Sequence, residues 1–200
     1  MSRKAKVGRG TRETNIEIEL NLDGTGKAEV KTGIGFFDHM LETFAKHGLF
    51  DLKIQAKGDL HVDQHHTVED VGITLGQAFS EALGEKTGIY RFGFYHGHFV
   101  APMDEALAIA AIDLSGRSNL IFKAKFKNKK NGEMPNDLWE DFFKGFSDGA
   151  KATLHLKIET GRSDHHKIEA LFKAFAKALR MAVEKDGRNK NMIPSTKGII

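Results

Sequence analysis

Two copies of one short motif, His-His-x-x-Glu, constrain this chain more than any other feature. The first copy starts at His65 and ends at Glu69, and the second starts at His165 and ends at Glu169. After each copy, apolar residues recur every three or four positions, which is typical of an amphipathic helix. Residues three and four apart are neighbours on a helix, so each glutamate should lie beside its two histidines. The motif therefore predicts two similar helices that carry the same polar group in their first turns.

The residue types of the motif favour metal binding. Imidazole nitrogens and carboxylate oxygens are common metal ligands, and two histidines with one acid supply a large part of a metal shell. One copy alone is as well explained by an unrelated pair of exposed histidines, because a single short match is only a hypothesis. Two copies about one hundred residues apart, with the acid at the same offset, favour two metal ions.

Composition narrows the remaining classes of protein. Two hundred residues suit one domain or a tightly fused pair, and fifteen phenylalanines can fill its core. The absence of cysteine excludes disulfides and thiolate metal sites. A net charge of +3, with basic and acidic residues interspersed, makes a nucleic-acid partner improbable. No apolar run is long enough for a membrane span, and the first residues lack the apolar segment of a signal peptide. We expect a cytoplasmic protein without a membrane partner.

The first half contains alternating and periodic segments in a recognisable order. Alternation predicts a strand over residues 14–22, a turn at 23–26, and a returning partner strand over 27–32. A helix is expected from about 37 to 46 and a strand over 52–56, before the first motif helix.

The second half repeats this order. It shows strand patterns over residues 106–114 and 120–126, a polar loop at 128–136, a helix over 138–146 and a strand over 154–158. The second motif helix follows and extends to about residue 184. We therefore predict an α+β fold made by internal duplication of a strand-strand-helix-strand-helix half, with sheets packed against helices. One half has too little core alone, so residues 8–90 and 91–193 should form a single unit of two fused repeats.

The duplication also predicts a partner for His39. Matching Phe44 and Leu52 to Phe146 and Leu154 sets His39 opposite Asp141. If His39 completes one metal shell, Asp141 should complete the other. An acid near a helix N-terminus is also favoured by the helix dipole, which explains Asp141 without a metal.

Eight stretches resemble the imidazoleglycerol-phosphate dehydratase family, and together they are highly specific and span nearly the whole chain. Two features depart from the family pattern. The segment 94–100 is longer than usual, and its His96 and His98 match no family ligand. Asp141 stands where the family more often has histidine or glutamate. The matching stretches are RET at 12–14, LNLDGTG at 20–26, TGIGFFDHML at 32–41, HHTVED at 65–70, PMDEAL at 102–107, DLSGR at 113–117, DHHKIEA at 164–170 and PSTKG at 194–198.

The resemblance implies a duplicated α+β fold, two Mn²⁺ ions per active site, and a homo-oligomer of 24 subunits with sites shared between neighbours. It also implies a reaction: imidazoleglycerol phosphate is dehydrated to imidazoleacetol phosphate in histidine biosynthesis, through an imidazolate held between the two metals. One metal is expected to take His39, His66, Glu69 and His166, and the other His65, Asp141, His165 and Glu169.

The remaining site residues also follow from the resemblance. Glu13 matches the family's base, and His47 matches a second acid-base group. Without the resemblance, Glu13 would be explained as an ordinary exposed acid, and His47 as a histidine favoured by the dipole at a helix C-terminus. The tail 194–200 is expected to bind substrate. The phosphate-contacting positions are Arg91, Arg117, Lys173, Ser195 and Lys197, and the other substrate contacts are Glu13, His39, His47, His65, Glu69 and His165.

Two other functions fit the same residues. A two-metal hydrolase acting on a phosphorylated substrate would also use histidine and carboxylate ligands beside basic residues. A non-catalytic protein whose assembly is stabilised by metals is the third possibility.

Overall fold

The computed structural model describes residues 3–92, 98–190 and 192–200, without the side chain of His98. His96 lies outside these residues. The first half contains, in chain order, β1 (Lys4–Gly10), β2 (Thr14–Asn21), β3 (Ala28–Lys31), α1 (Gly35–Gly48), β4 (Asp51–Gly58) and α2 (His65–Leu83). The second half contains β5 (His98–Met103), β6 (Ala106–Asp113), β7 (Asn119–Lys123), β8 (Lys130–Asn131), β9 (Met134–Pro135), α3 (Leu138–Ala150), β10 (Thr153–Thr160) and α4 (Asp164–Val183).

Each half forms one four-stranded sheet with the same connectivity. The strand orders are β1-β2-β4-β3 and β5-β6-β10-β7. The edge strands β1 and β5 were not predicted: β1 alternates but has only two apolar residues, Ala5 and Val7, and β5 is apolar without alternation. The strand predicted over 120–126 ends at Lys123, and the predicted loop 128–136 contains the short β8–β9 hairpin. The predicted α+β duplication is confirmed.

The hairpin predicted from residues 14–32 is wrong. β3 does not pair with β2, because β4 lies between them, antiparallel to β2 and parallel to β3. Parallel neighbours need a crossover connection, and α1 supplies it between β3 and β4. The Asp51 carboxylate accepts backbone N–H groups of Thr25 and Lys27, at 2.8 and 3.2 Å. The apparent hairpin turn is thus held against the start of β4.

The four helices pair across the two halves. α1 packs against α4, and α2 packs against α3. Strand β2 buries Ile16, Ile18 and Leu20 and exposes the residues between them, so the sheet turns one face towards the core. Aromatic side chains fill much of this core, as the phenylalanine content predicted. The largest fully buried ones are Phe37, Phe44, Phe50, Phe79, Trp139, Phe142, Phe143, Phe146, Phe172 and Phe175.

Glycines bring the backbones of α2 and α3 together. A Cβ atom added at Gly72 or Gly76 would lie 2.4 Å from a carbonyl oxygen of α3. One added at Gly145 or Gly149 would lie 2.7 or 2.2 Å from a carbonyl oxygen of α2. No larger residue fits at these positions unless the helices separate. Between α1 and α4, by contrast, Phe44 stacks on Phe175 with ring centroids 5.2 Å apart.

Both motif helices begin where the sequence predicts. α2 starts at His65, and α4 starts at Asp164 after Ser163, whose side chain accepts the backbone N–H of His166. Within the described residues, no helix is both long and apolar enough to cross a membrane. The domain limits at residues 8, 90 and 193 stay predictions.

Candidate functional site

The α1–α4 pair brings three predicted ligands together. His39 comes from the first turns of α1, and His165 and Glu169 come from the start of α4. One donor atom from each lies within 4.8 Å of the others. Burial alone raises the pKa of Glu169, but the hydrogen bond and charge of Lys173, with His165, outweigh it and hold that pKa below its ordinary value. The carboxylate is therefore available as an anionic ligand.

The α2–α3 pair repeats this arrangement with other residues. His65 Nε2 lies 3.5 Å from Asp141 Oδ2. Glu69 follows His65 by one turn of α2 and is half-buried, and its backbone carbonyl faces Gly145. Asp141 thus faces the first motif histidine on its partner helix, as His39 does on the other pair. The half-to-half alignment of these two residues agrees with the structure, and their binding of metal stays a prediction.

One chain brings together part of each expected shell. His65 lies with Asp141 and His165 lies with Glu169, as expected for one metal. His39 was expected with Glu69 and lies beside His165 and Glu169 in this chain, because α1 packs against α4. The complete shells, which were expected to be shared between subunits, stay a prediction.

The second histidine of each motif has its own carboxylate. His66 Nδ1 lies 3.2 and 3.1 Å from the two carboxylate oxygens of Asp59. His166 Nδ1 lies 2.7 Å from Glu105 Oε2. These hydrogen bonds raise the pKa of both histidines, and the bond from His166 is the main cause that lowers the pKa of Glu105 to about 2.

Sequence reasoning missed both carboxylates. Asp59 directly follows β4 and belongs to no recognised motif. Glu105 was noted only as part of a matching stretch. A carboxylate that orients a ligating histidine can come from any nearby loop, so no fixed spacing identifies it.

Glu13 lies close to one of these histidines. It is 56% exposed, and its Oε2 is 3.8 Å from His66 Nδ1. His47 lies in the last turn of α1, two turns beyond His39. Burial, followed by the charges of Lys173 and Lys177, lowers the pKa of His47 below 6.5, so this side chain is mainly neutral at pH 7.

The predicted phosphate contacts fall into two groups. Arg91 is paired with Asp113 at 2.6 Å and donates to the Pro194 carbonyl at 2.8 Å, which brings it to the tail that carries Ser195 and Lys197. Arg117 is exposed and follows Gly116, which lies against Ile200 at the end of the tail. The fifth residue, Lys173, instead binds Glu169 at 2.8 Å beside the first cluster.

Comparison with known proteins identifies the family. The model described as imidazoleglycerol-phosphate dehydratase matches residues 32–179. The imidazoleglycerol-phosphate dehydratase of Koribacter versatilis is 58% identical over 198 residues, which are 99% of this chain and 100% of that protein.

Two solved structures show the same fold. The enzyme of Staphylococcus aureus has a TM-score of 0.80 and 35% identity, with 91% of this chain and 99% of that chain covered. The enzyme of Pyrococcus furiosus, solved in complex with (S)-C348, has a TM-score of 0.80 and 36% identity, with 97% and 100% covered. The chain therefore belongs to the imidazoleglycerol-phosphate dehydratase family and is an enzyme of the carbon–oxygen lyase class.

Proposed function

We propose that this chain removes water from imidazoleglycerol phosphate to give imidazoleacetol phosphate in histidine biosynthesis, with two Mn²⁺ ions per active site. One observation carries the proposal: His39, His165 and Glu169 bring donor atoms within 4.8 Å of one another in a chain of a dehydratase family. His65 and Asp141 offer a second donor pair. The enzyme is proposed to act in the cytoplasm, without a nucleic-acid or membrane partner.

The donor atoms fit manganese. Imidazole nitrogens and carboxylate oxygens are suitable ligands for it, and the chain has no thiolate that would favour a softer ion. His39, His165 and Glu169 would hold one ion, and His65, Glu69 and Asp141 the other. When bound, the ions would supply Lewis acidity that favours loss of the ring proton from the imidazole of the substrate.

The residues of the chain must move the protons of the reaction. The hydroxyl on the carbon attached to the ring leaves as water after gaining a proton, and a base takes the proton from the neighbouring carbon. The resulting enol then rearranges to the ketone. Glu13 is the proposed base, because its carboxylate is exposed beside the motif helices. His47, which is mainly neutral at pH 7, is the proposed second acid-base group.

The tail 194–200 is proposed to bind the substrate phosphate. Arg91 contributes by holding Pro194, the residue before Ser195, and Ile200 at the end of the tail lies against Gly116, the neighbour of Arg117. Lys173 would meet the phosphate from the side of the metal cluster. Lys197 is exposed, so its side chain should contribute little to stability. Its substitution by alanine should raise KM and leave Tm unchanged; a lower Tm with an unchanged KM would reject this role.

The sites are proposed to be shared between subunits of a 24-subunit homo-oligomer. His66 and His166 bind Asp59 and Glu105 in this chain and do not join the two ligand groups described above. A neighbouring subunit would supply each of them to a metal. Metal binding and assembly should then be linked. Chelation followed by size measurement should yield smaller species, and a large metal-free particle would contradict the proposal.

One assay tests the reaction. The purified protein is incubated with imidazoleglycerol phosphate after chelation and again after addition of Mn²⁺, and imidazoleacetol phosphate is measured by its absorbance. We expect product only with the metal. Release of inorganic phosphate would indicate the hydrolase instead. The absence of both products from the metal-loaded, assembled protein would contradict the proposed function.

A further inference from the structure

The two halves hold their second motif histidine with carboxylates from different places. Glu105 directly precedes β6 and binds His166 Nδ1. Its other oxygen accepts the backbone N–H groups of Arg162 and Ser163, at 3.0 and 2.7 Å. In the first half, the carboxylate that binds His66 belongs to Asp59, which directly follows β4.

The residues at the equivalent places explain the difference. Glu13 directly precedes β2, so it is the counterpart of Glu105. Gly161 is the counterpart of Gly58, because an added Cβ would meet Lys167 and Ala106 there, as it would meet Thr67 and Thr14 at Gly58. The counterpart of Asp59 is therefore Arg162, a basic residue. The second half has no acid at this position, and Glu105 holds the histidine.

In the first half, two acids stand near one ring nitrogen. Asp59 is 17% exposed and lies within hydrogen-bond distance of His66 Nδ1. Glu13 lies farther away, at 3.8 Å, and is 56% exposed. Asp59 already accepts the Nδ1–H of His66. Glu13 therefore does not make the hydrogen bond that its counterpart Glu105 makes with His166.

We propose that Asp59 is a positioning residue that holds His66 and thereby leaves the Glu13 carboxylate free to act on the substrate. The inference rests on the proposed function, in which Glu13 is the base. Without Asp59, Glu13 is close enough to bind His66 Nδ1 as Glu105 binds His166. A glutamate engaged in that way is withdrawn from the substrate proton, although it still orients the histidine for a metal.

A third cation held by Glu13, Asp59 and His66 is the competing explanation, because their donor atoms also lie within 4.8 Å. Two observations favour orientation of the ring. The distances from Asp59 to His66 Nδ1 are those of hydrogen bonds, and the second half makes the same bond with a single carboxylate.

The experiment compares Asp59→Ala, Glu13→Gln and the double variant Asp59→Ala/Glu13→Ala, in which neither position offers an oxygen to His66, in the assembled, Mn²⁺-loaded enzyme. Asp59→Ala should lower kcat by about 10–100-fold with little change in KM, and it should keep both metals, because Glu13 takes over His66. Glu13→Gln should lower kcat by about 10²–10⁴-fold and also keep both metals. The double variant should have no lower kcat per metal-loaded site than Glu13→Gln, but its affinity for one metal should fall by about 10–100-fold.

A structure of Asp59→Ala gives a readout that does not depend on turnover: Glu13 should lie within hydrogen-bond distance of His66 Nδ1. Asp59→Asn, which keeps an oxygen able to accept that N–H, should restore most of kcat. Glu17→Gln, on the exposed face of β2, serves as the matched control and should change nothing.

Three results would overturn the inference. The first is full kcat in Asp59→Ala, which would leave the proposed function intact if Glu13→Gln is still impaired. The second is loss of metal in Asp59→Ala equal to that in the double variant. The third is a third Mn²⁺ per subunit that disappears with Asp59. Full turnover in Glu13→Gln would reject the base itself, and with it both proposals about Glu13.

Discussion

The α2–α3 and α1–α4 helix pairs carry equivalent polar groups but pack through different residues. Four glycines let the backbones of α2 and α3 touch. The equivalent positions in the other pair are filled by Thr43, His47, Phe172 and Ala176. There the aromatic rings of α1 and α4 stack on one another. A ring between two helices requires a wider separation than contact between their backbones.

This difference matches the length of the ligand side chains. Asp141 has a short side chain, yet its carboxylate lies 3.5 Å from His65 because α2 and α3 approach closely. His39 reaches across the more widely spaced pair with a longer side chain. A short acid in place of histidine therefore does not by itself mean a weaker site, since the helix spacing sets the reach that is required.

The largest effect, on the free energy of unfolding, should come from forcing α2 and α3 apart. Gly76→Ala places a Cβ 2.4 Å from the Phe146 carbonyl oxygen. Overpacking against rigid backbone should lower the free energy of unfolding by about 2 kcal/mol or more, measured by urea unfolding. Gly35→Ala in α1, where an added Cβ meets nothing within 4 Å, is the control and should be near neutral. Equal effects of the two substitutions would disprove the close packing.

The next effect concerns the metal at each pair. Asp141→Ala should reduce the affinity of the α2–α3 site for Mn²⁺ by at least about 10-fold and affect the other site less, with the reverse for His39→Ala. Asp141→His should retain both metals and part of the activity. Anomalous scattering from manganese-loaded crystals measures each occupancy separately. Full occupancy of both sites in Asp141→Ala would remove Asp141 from the shell.

The contact between Glu105 and His166 should weaken in acid. The folded-state pKa of Glu105 is about 2, against an ordinary value of 4.5. Its carboxylate therefore stabilises the metal-free fold above pH 4.5, and the contribution is lost as the pH falls towards 2. The Tm difference between the wild type and Glu105→Gln should shrink over that range in thermal scans. A constant difference would show that Glu105 acts only through packing.

The smallest effect on stability should be the same in both helix pairs and concerns the C-terminal ends of α1 and α3. α1 and α3 are followed directly by the C-cap residues Leu49 and Lys151, which adopt left-handed φ values of 55° and 49°. Because glycine has no Cβ penalty there, Leu49→Gly and Lys151→Gly should each raise stability by roughly 0.5 kcal/mol. Opposite signs in the two variants, measured by urea unfolding, would show that the helix ends are not equivalent.

Local pattern predicted the elements better than their partners. The two His-His-x-x-Glu segments begin helices as expected, because apolar periodicity and ligand spacing are both local properties. The pairing of β3 with β4 depends on a crossover, and the meeting of His39 with His165 depends on helices from different halves. Asp59 and Glu105 remained unrecognised for the same reason: each acts on a histidine that is brought near it only by the folded chain.

The pairing of helices across the halves also affects the order of folding during synthesis. The first sheet is complete once β4 has left the ribosome, long before α3 and α4 are made. Until then, α1 and α2 have no helical partners, and the faces bearing Phe44 and Gly76 stay uncovered. The nascent chain must therefore pass through an aggregation-prone stage, which a chain ending near residue 90 would never leave.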